Sequence, residues 1–122
     1  MTKEELKRRT KIFAIRTFKF INTLPKTKST DVVAYQVLKS SSSVAANYRA
    51  VCRGKSPADF LNKLKVVDEE ADETLFWLEF IKDLEINCNN KELDSLIKEA
   101  DELTAIFSAG IRTIKVREHK NV

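Results

Sequence analysis

The chain has 122 residues, 43% of them hydrophobic, and a net charge of +4, which suits one domain over residues 1–122 with its own core and leaves too little for a second. Two glycines and two prolines offer few places to turn between strands, so a sheet-rich fold is excluded in favour of a few long helices. No apolar run approaches the roughly 18 residues of a membrane span, and the basic N-terminus lacks the apolar block of a signal peptide; the expectation is a cytoplasmic protein with no membrane partner.

In chain order, Leu6, Phe13, Thr17, Phe20 and Leu24 recur at helical spacing, with Ala14, Phe18 and Ile21 widening the stripe, and predict a first helix from about Lys3 to Leu24 that Pro25 stops. Ser29 or Thr30 is expected to cap a second helix reaching about Arg53, with Gly54 as its C-terminal stop. A third helix starts at Ser56, an N-cap followed by Pro57 at the first helical position and by Asp59, which can reach back as a capping box, and it runs to about Ile86. Asn89, with Glu92 three residues on, opens a fourth that ends near Glu118. Four such helices joined by short turns predict an all-α, antiparallel up-down-up-down four-helix bundle.

The second helix carries "SSSS" at residues 40–43. A helical wheel gathers Val33, Val37, Val44, Tyr48 and Val51 on the core face and puts Ser41 among them. Gln36, Ser40, Ser43 and Asn47 align on the adjoining flank, and Ser42 points away. Folding the third helix back across Gly54 sets Ser40 opposite Glu70 and Gln36 opposite Thr74. The result is a buried polar seam of Gln36, Ser40, Ser43, Asn47 and Glu70, which either fixes helix register or lines a polar ligand pocket.

On the third helix, Phe60, Leu64, Val67, Ala71, Leu75 and Leu78 form the core stripe. Phe76, Trp77, Phe80 and Leu84 fall outside it. One bundle core cannot cover both faces, so these four are expected to be an oligomer interface, unless neighbouring helices wrap the third more completely than a wheel assumes.

The stretches "SSSSVAANYRAVCRGKSPADFLNKL" and "EEADETLFWLE" resemble the four-helix-bundle proteins encoded by intervening sequences within bacterial 23S rRNA genes. The match is carried by Ser43, Asn47, Tyr48 and Arg49, by Ser56, Asp59, Phe60 and Lys63, and by Glu70, Glu73, Thr74, Trp77 and Leu78. Many relatives have an acid shortly after the Asn where this chain has Ala50, so no role of that acid transfers here. The resemblance implies a compact antiparallel bundle, often a ring-like homopentamer, without an established enzymatic activity. It also implies a likeness in fold to the accessory variability determinant of diversity-generating retroelements, a basic oligomer that binds nucleic acid and reverse transcriptase.

Charge is segregated along the chain. Residues 1–28 hold nine Lys and Arg against two acids, and residues 56–90 hold three against nine. In an antiparallel bundle the start of the first helix meets the ends of the second and fourth. Lys7, Arg8, Arg9, Lys11, Arg49, Arg53, Lys55, Arg112, Lys115 and Arg117 then form one basic pole, joined by Lys3 and Lys120. Such a pole is suited to the phosphates of RNA or DNA, and the partners expected are nucleic acid, further copies of the chain or another protein. The acidic run 68–73 could suggest a bundle metal site, but di-iron bundles use Glu-x-x-His pairs and the only histidine is His119. No metal or other cofactor is expected. That histidine is far from any nucleophile, no glycine-rich phosphate loop is present, and Cys52 and Cys88 form no CxxC motif, so no catalytic residues are assigned and both cysteines are expected reduced.

Overall fold

A computed structural model describes residues 1–120, with side chains described as far as residue 117; the expectations placed on His119 and Lys120 lie outside the described side chains. The elements are α1 (Lys3–Ile21), α2 (Lys28–Val51), α3 (Pro57–Asp83) and α4 (Asn90–Lys120), with no strand among the described residues. The chain is all-α, a four-helix bundle.

Each start is fixed by local chemistry. Thr2 and Glu5 form a capping box on α1: the Thr2 hydroxyl accepts the Glu5 N–H at 3.1 Å and the Glu5 carboxylate accepts the Thr2 N–H at 3.2 Å. The cap of α2 is Thr27, not Ser29 or Thr30; its hydroxyl accepts the Thr30 N–H at 3.1 Å, while Thr30 itself is buried. Ser56 caps α3 as expected, accepting the Asp59 N–H. Asp59 does not complete the box, because its carboxylate accepts the N–H of Lys55 and the Lys63 ammonium instead. The Lys63 contact, then the Lys55 N–H, holds the Asp59 carboxyl below its usual range. Asn89 accepts the Glu92 N–H at 3.1 Å and starts α4.

The first three helices end sooner than apolar spacing suggests, while the fourth reaches Lys120, slightly past the expected Glu118. α1 stops at Ile21, since the N–H groups of Thr23 and Leu24 turn back to Phe20 and Ile21 in a tighter coil; Leu24 is buried nonetheless. α2 stops at Val51, and Gly54 is not left-handed. A side chain there would lie 3.2 Å from the Val51 carbonyl oxygen and 3.4 Å from the Phe60 backbone, so glycine serves a close approach. The left-handed residue is Glu85, at φ 55°, just past α3. The Glu85 N–H reaches the Lys82 carbonyl and the Ile86 N–H reaches that of Ile81, a Schellman ending with glutamate in the place glycine usually takes.

One apolar cluster runs through all four helices, including Phe13 from α1, Val37 and Val44 from α2, Val67, Leu78 and Ile81 from α3, and Leu96, Leu103 and Phe107 from α4. Tyr48 and Phe107 meet across it, ring centres 5.8 Å apart. Burying each such side chain contributes about 1.5–3 kcal/mol, and that sum holds the bundle. Phe18, expected to widen the core stripe, is 39% exposed, because the inward face of α1 is already filled by Phe13, Ala14, Thr17 and Ile21.

Cross-helix pairs show how neighbours run. Arg9 meets Glu99 and Glu102 while Arg16 meets Glu92, so numbers fall along α4 as they rise along α1. Lys82 with Asp94 and Asp68 with Ser108 give the same sense for α3 and α4. α1 and α4 touch least of the neighbouring pairs. The Lys3 ammonium sits 4.9 Å above the Phe60 ring, and a side chain at Gly110 would meet Leu64, so the start of α1, the start of α3 and the last third of α4 gather at one end.

Candidate functional site

The serine run divides as geometry requires. Ser40 and Ser41 are both buried, Ser43 is half-buried, and Ser42 faces out and donates to the Leu38 carbonyl. The expected register is off by one helical turn: Ser40 meets Thr74, not Glu70, with the hydroxyls 2.8 Å apart. Thr74 Oγ1 is also 2.8 Å from the Glu70 carbonyl oxygen, so it is the Glu70 backbone that joins the seam. The expected register centred the turn on Gly54, but the connecting loop lies over the first turn of α3, with Gly54 against Phe60. Asn47 donates within its own helix to the Ser43 carbonyl and hydroxyl. Gln36 is half-buried and makes no side-chain hydrogen bond among the described residues. Burial, then the neighbouring charge of Glu73, pushes the Glu70 carboxyl up, with Lys39 opposing. The five residues therefore divide into separate features: Ser40 with the Glu70 backbone through Thr74, Ser43 with Asn47, and Gln36.

The α3 aromatics do form a patch. Phe76, Trp77 and Phe80 touch one another with ring centres 5.0–5.8 Å apart. Phe76 is 54% and Phe80 38% exposed, and Leu84 is exposed at the helix end. Trp77 is the exception: it is half-buried against the core, with its indole N–H directed at Glu73. Carboxylates surround the rings, since Asp72, Glu79 and Asp83 share a hollow with Phe76 and Phe80.

The basic end also sorts itself. Arg9 is not free: its guanidinium binds Glu99 through Nε and Nη2 at 2.8 and 2.6 Å and Glu102 at 2.6 Å, and these partners raise its pKa further. Arg9 is a strut between α1 and α4. Lys7 is 3.9 Å from Glu4. Arg8, Lys11, Arg49, Arg53, Lys55, Arg112, Lys115 and Arg117 are exposed and make no ion pair among the described residues.

A further surface went unread in the sequence. A groove of about 660 Å³ runs between α1 and α2, with Ala14, Ile15, Phe18, Ala45 and Ala46 on its walls and Lys7, Lys11, Lys19 and Arg49 along its rim. Its signal was present: Lys7, Lys11, Ala14, Ile15 and Phe18 follow one helical stripe, which overlaps the widened core stripe at Ala14 and Phe18 and extends beyond it at Ile15.

Among the described residues, no group of three His, Cys, Asp or Glu side chains converges on a possible metal position, and no helix is long and apolar enough to cross a membrane. Cys52 and Cys88 are unpaired thiols, and burial followed by the charge of Asp94 pushes the Cys88 thiol up, away from the thiolate a nucleophile needs.

No curated protein matches the chain. Among solved structures, it is similar to a protein of unknown function from the S23 ribosomal protein family of Bacteroides thetaiotaomicron, with 28% identity and a TM-score of 0.81 over 92% of this chain and 99% of that one. The family model described as 23S rRNA-intervening sequence protein matches residues 3–109, which take in α1, α2, α3 and most of α4. The chain belongs to the 23S rRNA-intervening sequence protein family.

Proposed function

We propose that this chain is a non-enzymatic, cytoplasmic, homo-oligomeric module, one up-down-up-down antiparallel four-helix domain that binds RNA or DNA weakly and without strong sequence preference through its basic end. The observation that carries the reading is the group of exposed cations Arg8, Arg53, Lys55, Arg112, Lys115 and Arg117, without an ion pair among the described residues, near the start of α1, just past α2 and near the end of α4. Phosphate neutralisation by such side chains supplies most non-specific affinity, and it needs no base-reading groove. The absence of exposed aromatics among these cations supports backbone contact over base stacking. Self-association is supported by Phe76 and Phe80, since a helix rarely leaves such rings in water without a partner surface.

The test is a salt titration of binding to rRNA fragments and to random duplex. Replacing Arg8, Arg53, Arg112 and Arg117 by glutamine is expected to lower the slope of log affinity against log salt by about 0.9 for each duplex phosphate contact removed, with little change in stability. No binding at low ionic strength, or an unchanged slope in the variant, overturns the nucleic-acid reading.

A further inference from the structure

Two apolar surfaces of this chain carry opposite charge. The α1/α2 groove has small side chains on the α2 wall, Ala45 and Ala46, exposed Ile15 and Phe18 on the α1 wall, and a rim of four cations with no carboxylate in its lining. The α3 ridge has large rings, Phe76 and Phe80, with Asp72, Glu79 and Asp83 beside them. One is concave and basic, the other aromatic and acidic. They belong to different faces of the bundle, so a single chain cannot bring its own ridge to its own groove.

We propose that the α1/α2 groove of one copy receives the α3 aromatic ridge of a second copy. This rests on the homo-oligomer part of the proposed function and names the two surfaces that meet. Symmetric alternatives are disfavoured by charge. Ridge against ridge would set Asp72, Glu79 and Asp83 against their own counterparts, and groove against groove would set Lys7, Lys11 and Lys19 against theirs; like-charge juxtaposition across an interface costs several kcal/mol. The head-to-tail arrangement sets the four rim cations against the three ridge carboxylates. Such a contact leaves each pair of chains with one open groove and one open ridge, so it continues until a ring closes. It also takes Lys7, Lys11 and Arg49 out of the nucleic-acid surface and leaves that role to the cations at the tip.

The test uses two charge-reversed variants at exposed positions, Lys11→Glu with Lys19→Glu in the groove and Glu79→Lys with Asp83→Lys on the ridge, with helicity checked by circular dichroism. Light scattering of the wild type at micromolar concentration is expected to give an oligomer and each variant alone a monomer. An equimolar mixture of the two variants is expected to assemble beyond two chains, with the variants alternating, because the reversed groove takes the reversed ridge and the two native surfaces also match. A chain carrying all four reversals is expected to regain the wild-type size. If the groove variant assembles like the wild type, or the mixture stays monomeric, the groove-to-ridge contact is wrong while self-association stands. A monomeric wild type overturns both.

Discussion

The Thr74 hydroxyl on α3 lies 2.8 Å from the Ser40 hydroxyl on α2, and both are sealed from solvent. A slip of α3 would break this hydrogen bond between two sealed hydroxyls, so the pair helps hold the register of the two helices. Thr74→Val and Ser40→Ala are each expected to cost about 1–2 kcal/mol in urea unfolding. The double variant should lose less than the two single losses together, by about 0.5–1 kcal/mol. Strict additivity would mean that the two hydroxyls act independently.

Arg9 separates structure from binding. Its two carboxylate partners are only partly exposed, so Arg9→Met is expected to cost about 1–2 kcal/mol at low salt and less as salt rises. Affinity for duplex should stay where it is. A variant with weakened binding and unchanged melting would return Arg9 to the nucleic-acid surface.

Glutamate at position 85 holds a left-handed backbone at φ 55°, a conformation glycine adopts at no steric cost. Glu85→Gly is expected to stabilise the chain by about 0.5–1 kcal/mol, read as a higher denaturation midpoint with the same slope.

Much of this was legible in the sequence, and the division is physical. The Ser56 and Asn89 caps were read correctly because a cap depends on side chains three residues apart. The exposed Phe76 and Phe80 were legible for a similar reason, since one helix cannot turn two faces to one core. Register was not. It depends on how the Cys52–Ser56 connection lies on α3, a contact between Gly54 and Phe60 that no periodicity encodes. The fate of Arg9 was hidden too, because its partners Glu99 and Glu102 are on the last helix and look like ordinary solvated charge. Phe18 misled by adjacency: it borders the core stripe and belongs to the groove.

Two groups give the fold a pH signature. Burial pushes the Tyr48 hydroxyl from 10.0 up to about 12, with Cys52 beside it adding to the effect. Below pH 10 the phenol is neutral in both states, whereas between pH 10 and 12 the unfolded chain ionises first, so stability falls across that window by roughly 1–3 kcal/mol. Tyr48→Phe is expected to remove that part of the alkaline loss, measured by melting temperature against pH.

Glu70 works in the opposite range. Its folded carboxyl is raised, chiefly by burial, so the fold favours the protonated form and the ionised form at neutral pH is a small burden. Glu70→Gln is expected to raise the melting temperature at pH 7. The gain should vanish below pH 4.5, where the unfolded carboxyl is protonated as well. A variant that melts lower at neutral pH would show that the carboxylate has a partner that matters.

The sparse contact between α1 and α4 sets how this molecule comes apart. Three of its four helix-to-helix seams are zipped by hydrocarbon, but the fourth, between α1 and α4, closes on guanidinium and carboxylate, through Arg9 and Arg16. Ions in the surrounding water weaken such a clasp and strengthen the oily one. Brine therefore loosens one edge of the barrel first, and the N-terminal helix is the stave that lifts.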